Sequence, residues 1–424
     1  MRLIYIVLAY LLVPIALGQL LWRGLRDRDY WRGLSERFGL NYPPEDARSI
    51  WVHAVSVGEV QASAPLVRAL RSRYPRIPLV LTTVTPTGAQ RARSLFAPEV
   101  HVRYLPFDLP GCVRRFFDRV RPQLAVVMET ELWPNLFHEC GQRAVPLVLA
   151  SARISPRSVS RYRLLVRLFR ETLSHGIVIA AQSESDAQRF MSIGASPGRT
   201  HVTGNIKFDF ELPEALVARG RALRQQYAGS RPVWIAGSTH DGEEETILDA
   251  HAQVRRTVAD ALLVLVPRHR NRFENVAALL RRRGVPFVAR SSHEPASSGA
   301  QVLLLDTLGE LQTFYAASDV AFVGGSLVPV GGHNLLEPAA LALPILTGPH
   351  NFNCEDIARL FAQVGAARIV STGQELAAGV VRLLTDASAR EQMGGAGRRA
   401  VDENRGALRR LLALIDPLVR EAPG

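Results

Sequence analysis

Apolar, β-branched runs of five to seven residues alternate with helical stretches along most of this 424-residue chain. In the first half, the runs at 50–54, 78–84, 101–105, 123–128, 146–150 and 177–181 predict strands. In the second half, 232–237, 261–266, 286–290, 301–305, 320–324 and 343–347 do the same. The runs are continuously apolar rather than alternating. Strands of that kind are covered on both faces, as in parallel sheets flanked by helices. Two such series in tandem predict an α/β protein of two doubly wound domains. Residues 205–230 are polar and helical with little strand character, and read as the connection. The last helical stretch, about 387–421, is a candidate to return to the first domain. Ligands of open parallel sheets bind beyond the carboxyl ends of the strands, so the site is expected in the cleft between the halves.

The first element stands apart. Residues 3–22 form an uncharged run interrupted only by Pro14, Gly18 and Gln19. Its length matches the ~20 residues that cross a bilayer core. Arg23, Arg26, Arg28 and Arg32 follow, with Arg2 alone in front. The positive-inside rule then places the body in the cytoplasm, behind a single membrane anchor. A cleaved signal peptide fits less well, because no A-x-A site follows the run. A buried or interfacial helix is the alternative. The expected division is 1–22 as anchor, 23–210 as the first domain, 211–230 as linker and 231–424 as the second domain.

Composition narrows the function. Hydrophobic residues make up 47% and charged residues 21%, which excludes a disordered or collagen-like chain. Three scattered cysteines argue against a disulfide framework or a zinc ribbon. The net charge of +12 points to an anionic partner: a phosphorylated substrate, an anionic membrane or nucleic acid. Aromatic residues are only 7% and no nucleic-acid-binding signature occurs, so nucleic acid is the weakest of the three. Of 51 basic residues, Lys207 is the one lysine.

Several motifs carry candidate chemistry. In WVHAVSVGEVQASAPLVRAL (51–70), Glu59 falls in the first turn of a helix after a strand, where the helix dipole favours a carboxylate. It is either an ordinary first-turn residue or a general base on the acceptor side. In METELWPN (128–135), Glu129 and Glu131 alternate sides at a strand end. Lys207 lies between Asn205 and Asp209 in TGNIKFD; its compact ammonium differs from the planar fork of arginine. Ser238 and Thr239 in GSTHDGEEE can cap a helix or bind phosphate. VPRHRNRF (266–273) places Arg268 and His269 at a strand end, suited to a phosphate or a base edge. In SLVPVGGHNLLEPAALALPILTGP (326–349), a helix N-terminus near Asn334 is suited to a phosphate, and Glu337 to ribose hydroxyls. The histidines, such as His53, His240 and His333, lack metal-ligand spacing, so neither metal nor cofactor is expected. GAGRRA (395–400) fits a dinucleotide pattern but lies in a helical tail rather than after a strand. Arg157, Arg161, Arg167 and Arg170 surround Leu164, Leu165, Leu168 and Phe169 in a candidate membrane-facing basic helix.

Taken in order, HAVSVGE, METELWPN, GNIKFD, STHDGEE, VPRH and GGHNLLEP, with TPTG (85–88) and GPHNFN (348–353), closely resemble the bacterial 3-deoxy-D-manno-octulosonic acid (Kdo) transferases. The resemblance covers nearly the whole chain. It implies a GT-B fold, two Rossmann-like domains facing a cleft. It implies inverting, metal-free transfer of Kdo from CMP-Kdo to the 6′-hydroxyl of a lipid A precursor, lipid IVA, in lipopolysaccharide core synthesis. By the same resemblance Glu59 is the general base, and Glu129 and Lys207 match positions assigned to stabilising the transition state. Pro267, Arg268, Leu308, Gly309, Glu310, Asn334, Leu335, Leu336 and Glu337 match segments that contact CMP. Two other readings stay open: a GT-B transferase or epimerase using a UDP-sugar, and a membrane-tethered nucleotide-binding module without catalysis.

Overall fold

Continuously apolar segments become strands because a parallel sheet buried on both faces accepts β-branched side chains at every position. The structure, a computed structural model, describes residues 2–42, 47–155, 159, 176–294 and 299–420. Residues up to Phe210, together with those from Asn404 onward, form one compact unit, and Glu211–Glu403 form another.

The first unit contains β1 (Ser49–His53), β2 (Leu79–Thr83), β3 (His101–Tyr104), β4 (Pro122–Met128), β5 (Leu147–Ala152), β6 (Val178–Ala181) and β7 (Thr200–Val202). They pair in the order β3-β2-β1-β4-β5-β6-β7. All the pairings are parallel. Every residue of β1, β2, β4 and β5 is buried. Chain order reverses between β1 and β4, where Ile50 stands beside Leu124. Such a switch point opens a crevice at the carboxyl ends of the two strands.

The second unit repeats the plan with β8 (Val233–Thr239), β9 (Leu262–Pro267), β10 (Phe287–Ala289), β11 (Val302–Leu304), β12 (Val320–Val323), β13 (Ile345–Thr347) and β14 (Ala367–Ile369). Their order is β10-β11-β9-β8-β12-β13-β14, again parallel, with the switch between β8 and β12. All twelve runs marked by the apolar pattern are strands. The pattern missed β7 and β14. Each has three residues, lies at the outer end of its sheet and is partly exposed, so neither carries a continuous apolar run. The stretch read as the connection holds the helix Leu216–Tyr227, whose Gly220 meets Ala316 of the second unit closely enough to exclude a side chain.

The chain's last segment divides. The helix Ala387–Asn404 packs in the second unit, where Gly394 lies against the Ala342 carbonyl and Gly397 against Ala339. That close approach accounts for the small residues around GAGRRA. After Gly406 (φ +87°) the helix Ala407–Ile415 buries Ala407, Leu411 and Ile415 in the same cluster as Ile50, Leu81 and Val126 of the first sheet. Asp209 ties the crossing down by accepting the Gly406 and Leu408 N–H groups, both at 2.5 Å. Arg410 donates to the Thr203 carbonyl at 2.8 Å.

At the switch of the second sheet one carboxylate organises the loops. Glu243 is fully buried. It accepts backbone N–H groups from His240 (2.9 Å), Gly325 (2.7 Å), Ser326 (3.0 Å) and Leu327 (2.9 Å). The loop after β8 is thereby fastened to the loop after β12.

Two outcomes follow. Leu411→Ala should lower the stability of the first unit by about 2–5 kcal/mol, the cost of a buried leucine cavity. In urea titrations the Trp51 signal should shift and the Trp234 signal should not. Glu243→Gln puts an amide group against a cradle of N–H donors. It should destabilise the second unit by about 3 kcal/mol, with the Trp234 transition moving and the Trp51 transition staying in place.

Candidate functional site

In the first unit, strand β1 runs into a turn and the helix Val57–Arg73. Ser56 is its N-cap, and Ser56 to Glu59 has the spacing of a capping box. The Glu59 carboxylate reaches back to accept the Val55 N–H at 2.8 Å and lies 3.4 Å from the Ser56 hydroxyl. The TPTG segment packs beneath this turn. Thr85 caps the helix Pro86–Phe96, and a side chain at Gly88 would collide with the Thr83 and Thr85 hydroxyls. Thr83 in turn donates to the Val55 carbonyl at 2.8 Å.

A first-turn carboxylate is expected to be stabilised as the anion. The structure reverses that balance. Burial pushes the Glu59 carboxyl up to about 7, and the Glu129 charge adds to the rise. The Val55 N–H, Lys207 and Ser56 oppose it without cancelling it. Desolvation of a charge outweighs one hydrogen bond and a partial dipole.

Glu129 immediately follows β4 and holds φ +56°, a left-handed conformation that a non-glycine residue keeps only under surrounding constraint. Its Oε1 accepts from Lys207 Nζ at 2.7 Å, and its Oε2 lies 3.7 Å from Arg153 Nε. Glu131 is also pushed up to about 7, first by burial and then by Glu59 and Glu129. Three carboxyl groups and one ammonium therefore share a single electrostatic site at the switch of the first sheet.

Lys207 is delivered by a short turn, Ile206–Phe208, with Asn205 as its N-cap. Asn205 Oδ1 accepts the Lys207 N–H at 3.0 Å, and Asn205 Nδ2 donates to Gln182 at 3.1 Å. Ser151 accepts the Ile206 N–H at 3.1 Å, from a residue that itself has φ +48°. Asn205, Lys207 and Asp209 thus hold the turn, carry the charge and anchor the C-terminal helix respectively. Arg153, Gln182 and Ser151 escaped the sequence reading because each lies in a segment with no motif of its own. The available signal was their position as polar residues at the carboxyl ends of β5 and β6. His53 is a core residue. It is fully buried and bonded to Thr82, and burial drops its pKa to about 4.

In the second unit the candidate nucleotide residues occupy the loops after β9, β11 and β12. Pro267 closes β9 and is buried, while Arg268 is exposed and donates its backbone N–H to Thr239 at 3.0 Å. Leu308 is exposed, and Gly309 turns at φ +84°. Glu310 is paired with Arg290 at 2.9 Å and accepts from the Thr307 hydroxyl. Asn334 bonds Glu337 at 3.1 Å and accepts the Leu336 N–H at 3.0 Å. Burial raises the Glu337 carboxyl. Leu335 and Leu336 are buried, so only their backbone can face a ligand.

Two expectations change here. The helix after Asn334 is only the five residues Leu336–Ala340, and Asn334 already takes its Leu336 N–H, so little of a helix N-terminus is left for a phosphate. Ser238 and Thr239 neither cap the next helix nor face outward. Both are buried, Thr239 donates to Glu244 at 3.1 Å, and the helix begins later, at Glu244. What the strand end does present is imidazole. His240 and His333 stack, with their Nε2 atoms 2.8 Å apart, and His269 packs edge-on against His240. Burial holds His333 near a pKa of about 4 and lowers His240 as well. Glu243, which fastens these loops, was hidden in a run of three glutamates read only as an acidic helix start. The candidate basic helix around Arg157, Arg161, Arg167 and Arg170 lies outside the described residues.

A family model for 3-deoxy-D-manno-octulosonic-acid transferase (kdotransferase) matches residues 32–210. The 3-deoxy-D-manno-octulosonic acid transferase of Haemophilus influenzae is 42% identical over 421 residues, covering 98% of this chain and 98% of the relative. The transferase of the same name from Bordetella pertussis is 38% identical over 392 residues, 90% of each chain. Among solved structures, the UDP-GlcNAc 2-epimerase from Neisseria meningitidis bound to UDP-GlcNAc is similar with a TM-score of 0.57 at 15% identity, over 88% of this chain and 100% of that one. That likeness shows a shared GT-B fold. With 42% identity sustained over nearly its whole length, the chain belongs to the 3-deoxy-D-manno-octulosonic acid transferases, a family of glycosyltransferases.

Proposed function

We propose that this enzyme moves Kdo from CMP-Kdo to the 6′-hydroxyl of a lipid A precursor, lipid IVA, in lipopolysaccharide core synthesis, with inversion and with Glu59 as general base. The observation that carries the reading is the half-buried Glu59 carboxyl, pushed up to about 7, beside the Glu129–Lys207 ion pair. A base works best when its pKa lies near the working pH, because it is then both available and strong enough to take a proton. Glu59 has that property and an ordinary surface glutamate does not.

The remaining roles follow from charge. Inversion requires the acceptor hydroxyl to attack from the face opposite the leaving group, so its proton passes to a base on the acceptor side. Glu59 takes it. Positive charge develops on the sugar ring next to the Kdo carboxylate. Lys207, pinned by Glu129 at 2.7 Å, presents a fixed ammonium to that carboxylate or to the phosphate. Glu129 acts by orienting Lys207 and by keeping negative potential near the developing cation. Arg268 and the loops around Gly309 and Asn334 hold the CMP moiety, with Glu337 toward the ribose. The helix Arg2–Arg26, long and apolar enough to cross a membrane, attaches the enzyme to the inner membrane with its body on the cytoplasmic face. The arginine-rich surface suits a phosphorylated lipid.

Glu59→Gln should lower single-turnover transfer by roughly 10²–10⁴-fold while CMP titration stays near wild type. An unchanged rate would move the base elsewhere. The wild-type rate should climb with pH through about 7, as Glu59 loses its proton, and the variant should lose that limb.

Stability supplies a readout free of activity. The folded pKa of Glu59 stands above its ordinary carboxyl value, so the native state binds more protons than the unfolded chain between the two. Its contribution therefore favours folding at low pH and is lost as pH rises through about 7. Glu59→Gln should be more stable than wild type at pH 8 by on the order of 1 kcal/mol, and no more stable at pH 4, measured by urea unfolding.

Lys207→Arg separates charge from shape. A planar guanidinium would displace the bound anion, and a shift of about 1 Å can cost on the order of 10²-fold. The variant should fold and bind CMP yet transfer nearly as slowly as Lys207→Ala. A near wild-type rate would show that positive charge of either shape suffices.

A further inference from the structure

The Arg2–Arg26 helix is fastened to the first unit at both ends. At its start, Tyr5 donates its hydroxyl to Asp108 Oδ2 at 2.7 Å, and Arg2 Nε donates to Asn135 Oδ1 at 3.3 Å. Asp108 is no surface group. It is buried, and it also accepts the Asn135 N–H at 3.0 Å and the Leu136 N–H at 2.8 Å, so Tyr5 completes a polar cluster of the body. At the other end Trp31 folds back onto Gly24, where a side chain would overlap the indole ring. The chain then docks: Glu36 accepts the Tyr104 N–H at 2.7 Å and Arg37 donates to the Val84 carbonyl at 2.6 Å.

These attachment points share one place in the fold. Val84 and Tyr104 lie at the carboxyl ends of β2 and β3, Asp108 follows β3, and Asn135 follows the loop of Glu129 and Glu131 after β4. Between its ends, Tyr5, Ala9, Val13, Ala16 and Leu20 recur at helical spacing and are half-buried, while Leu3, Leu8, Leu11, Ile15 and Trp22 are more than half exposed.

A helix of 25 residues is about 37 Å long, enough to carry its first residue through a bilayer core of ~30 Å. A spanning helix would strand Arg2 and Tyr5 on the far side of the membrane from Asp108 and Asn135. The bonds to Asp108 and Asn135 hold them on the near side. We propose that this helix does not cross the membrane: it lies along one leaflet, clamped at both ends to the carboxyl edge of the first sheet, with its exposed apolar faces in the lipid. The partner is the bilayer surface itself. Arg23, Arg28 and Arg32, at and just beyond the end of the helix, meet the anionic headgroups of the same leaflet. A consequence, which rests on the acceptor being a membrane glycolipid, is that the Glu59 site opens toward the leaflet in which that lipid resides.

The test is topological. The full-length protein carries a protease-cleavable tag ahead of Met1 and is reconstituted in phosphatidylethanolamine–phosphatidylglycerol vesicles. Glu274→Cys, on an exposed side chain of the second unit, reports which bodies face outward through a membrane-impermeant maleimide. Protease added to intact vesicles should remove the tag from the same fraction of molecules that the maleimide labels. A tag that survives on labelled molecules until detergent opens the vesicles would overturn the proposal, because the helix then spans. The readout needs no catalysis. Tag removal without transfer to any glycolipid would leave the helix placement standing and remove only the proposed acceptor.

Discussion

Lys207 and Glu129 meet at 2.7 Å although 78 residues separate them, and the first unit's site depends on that contact. Glu129 sits at the end of β4 in a left-handed conformation, and Lys207 on a turn beyond β7. The carboxylate needs a cation close by, because a half-buried charge without a partner is costly. The ammonium needs a fixed direction, because a free lysine side chain samples many. Each meets the other's need. Asn205, Ser151 and Gln182 hold the turn, and Asp209 binds the turn to the C-terminal helix. The pair's charge then acts on Glu59, where Glu129 raises the proton affinity and Lys207 lowers it.

The second unit has a counterpart in Glu243. A fully buried carboxylate is tolerable when backbone N–H groups surround it, and four do so here. Loops rich in glycine, such as the one after β12, gain definition from that fixed anion. The two units use opposite devices. One places a cation against an acid on an open edge. The other buries an acid among dipoles and leaves the His240–His333 stack and Arg268 at the strand ends.

The N-terminal helix shows how identical composition can serve two placements. Its length and apolarity are those of a membrane span, and nothing within residues 3–22 separates crossing from lying flat. Tyr5 and Arg2 find distant polar partners in Asp108 and Asn135. A hydroxyl and a guanidinium at the start of an apolar helix are ambiguous until those partners are known.

The local pattern was sufficient for the strands, since a strand covered on both faces must be apolar at every position, and twelve runs announced themselves. The short edge strands β7 and β14 lacked that requirement and left no trace. Motif order was sufficient for the family, because HAVSVGE, METELWPN and GNIKFD in that order along one chain are specific together. Tertiary structure alone decided what those residues experience. The proton affinity of Glu59 is set by burial and by Glu129 and Lys207, none of which its first-turn position reveals. The burial of Ser238 and Thr239, the weight borne by Glu243, and which part of the last helical stretch enters the first core, with Leu411 and Ile415, depend on contacts between remote segments. Periodicity reports which side of an element is apolar. It does not report which partner covers it, and desolvation, ion pairing and register are properties of the partner.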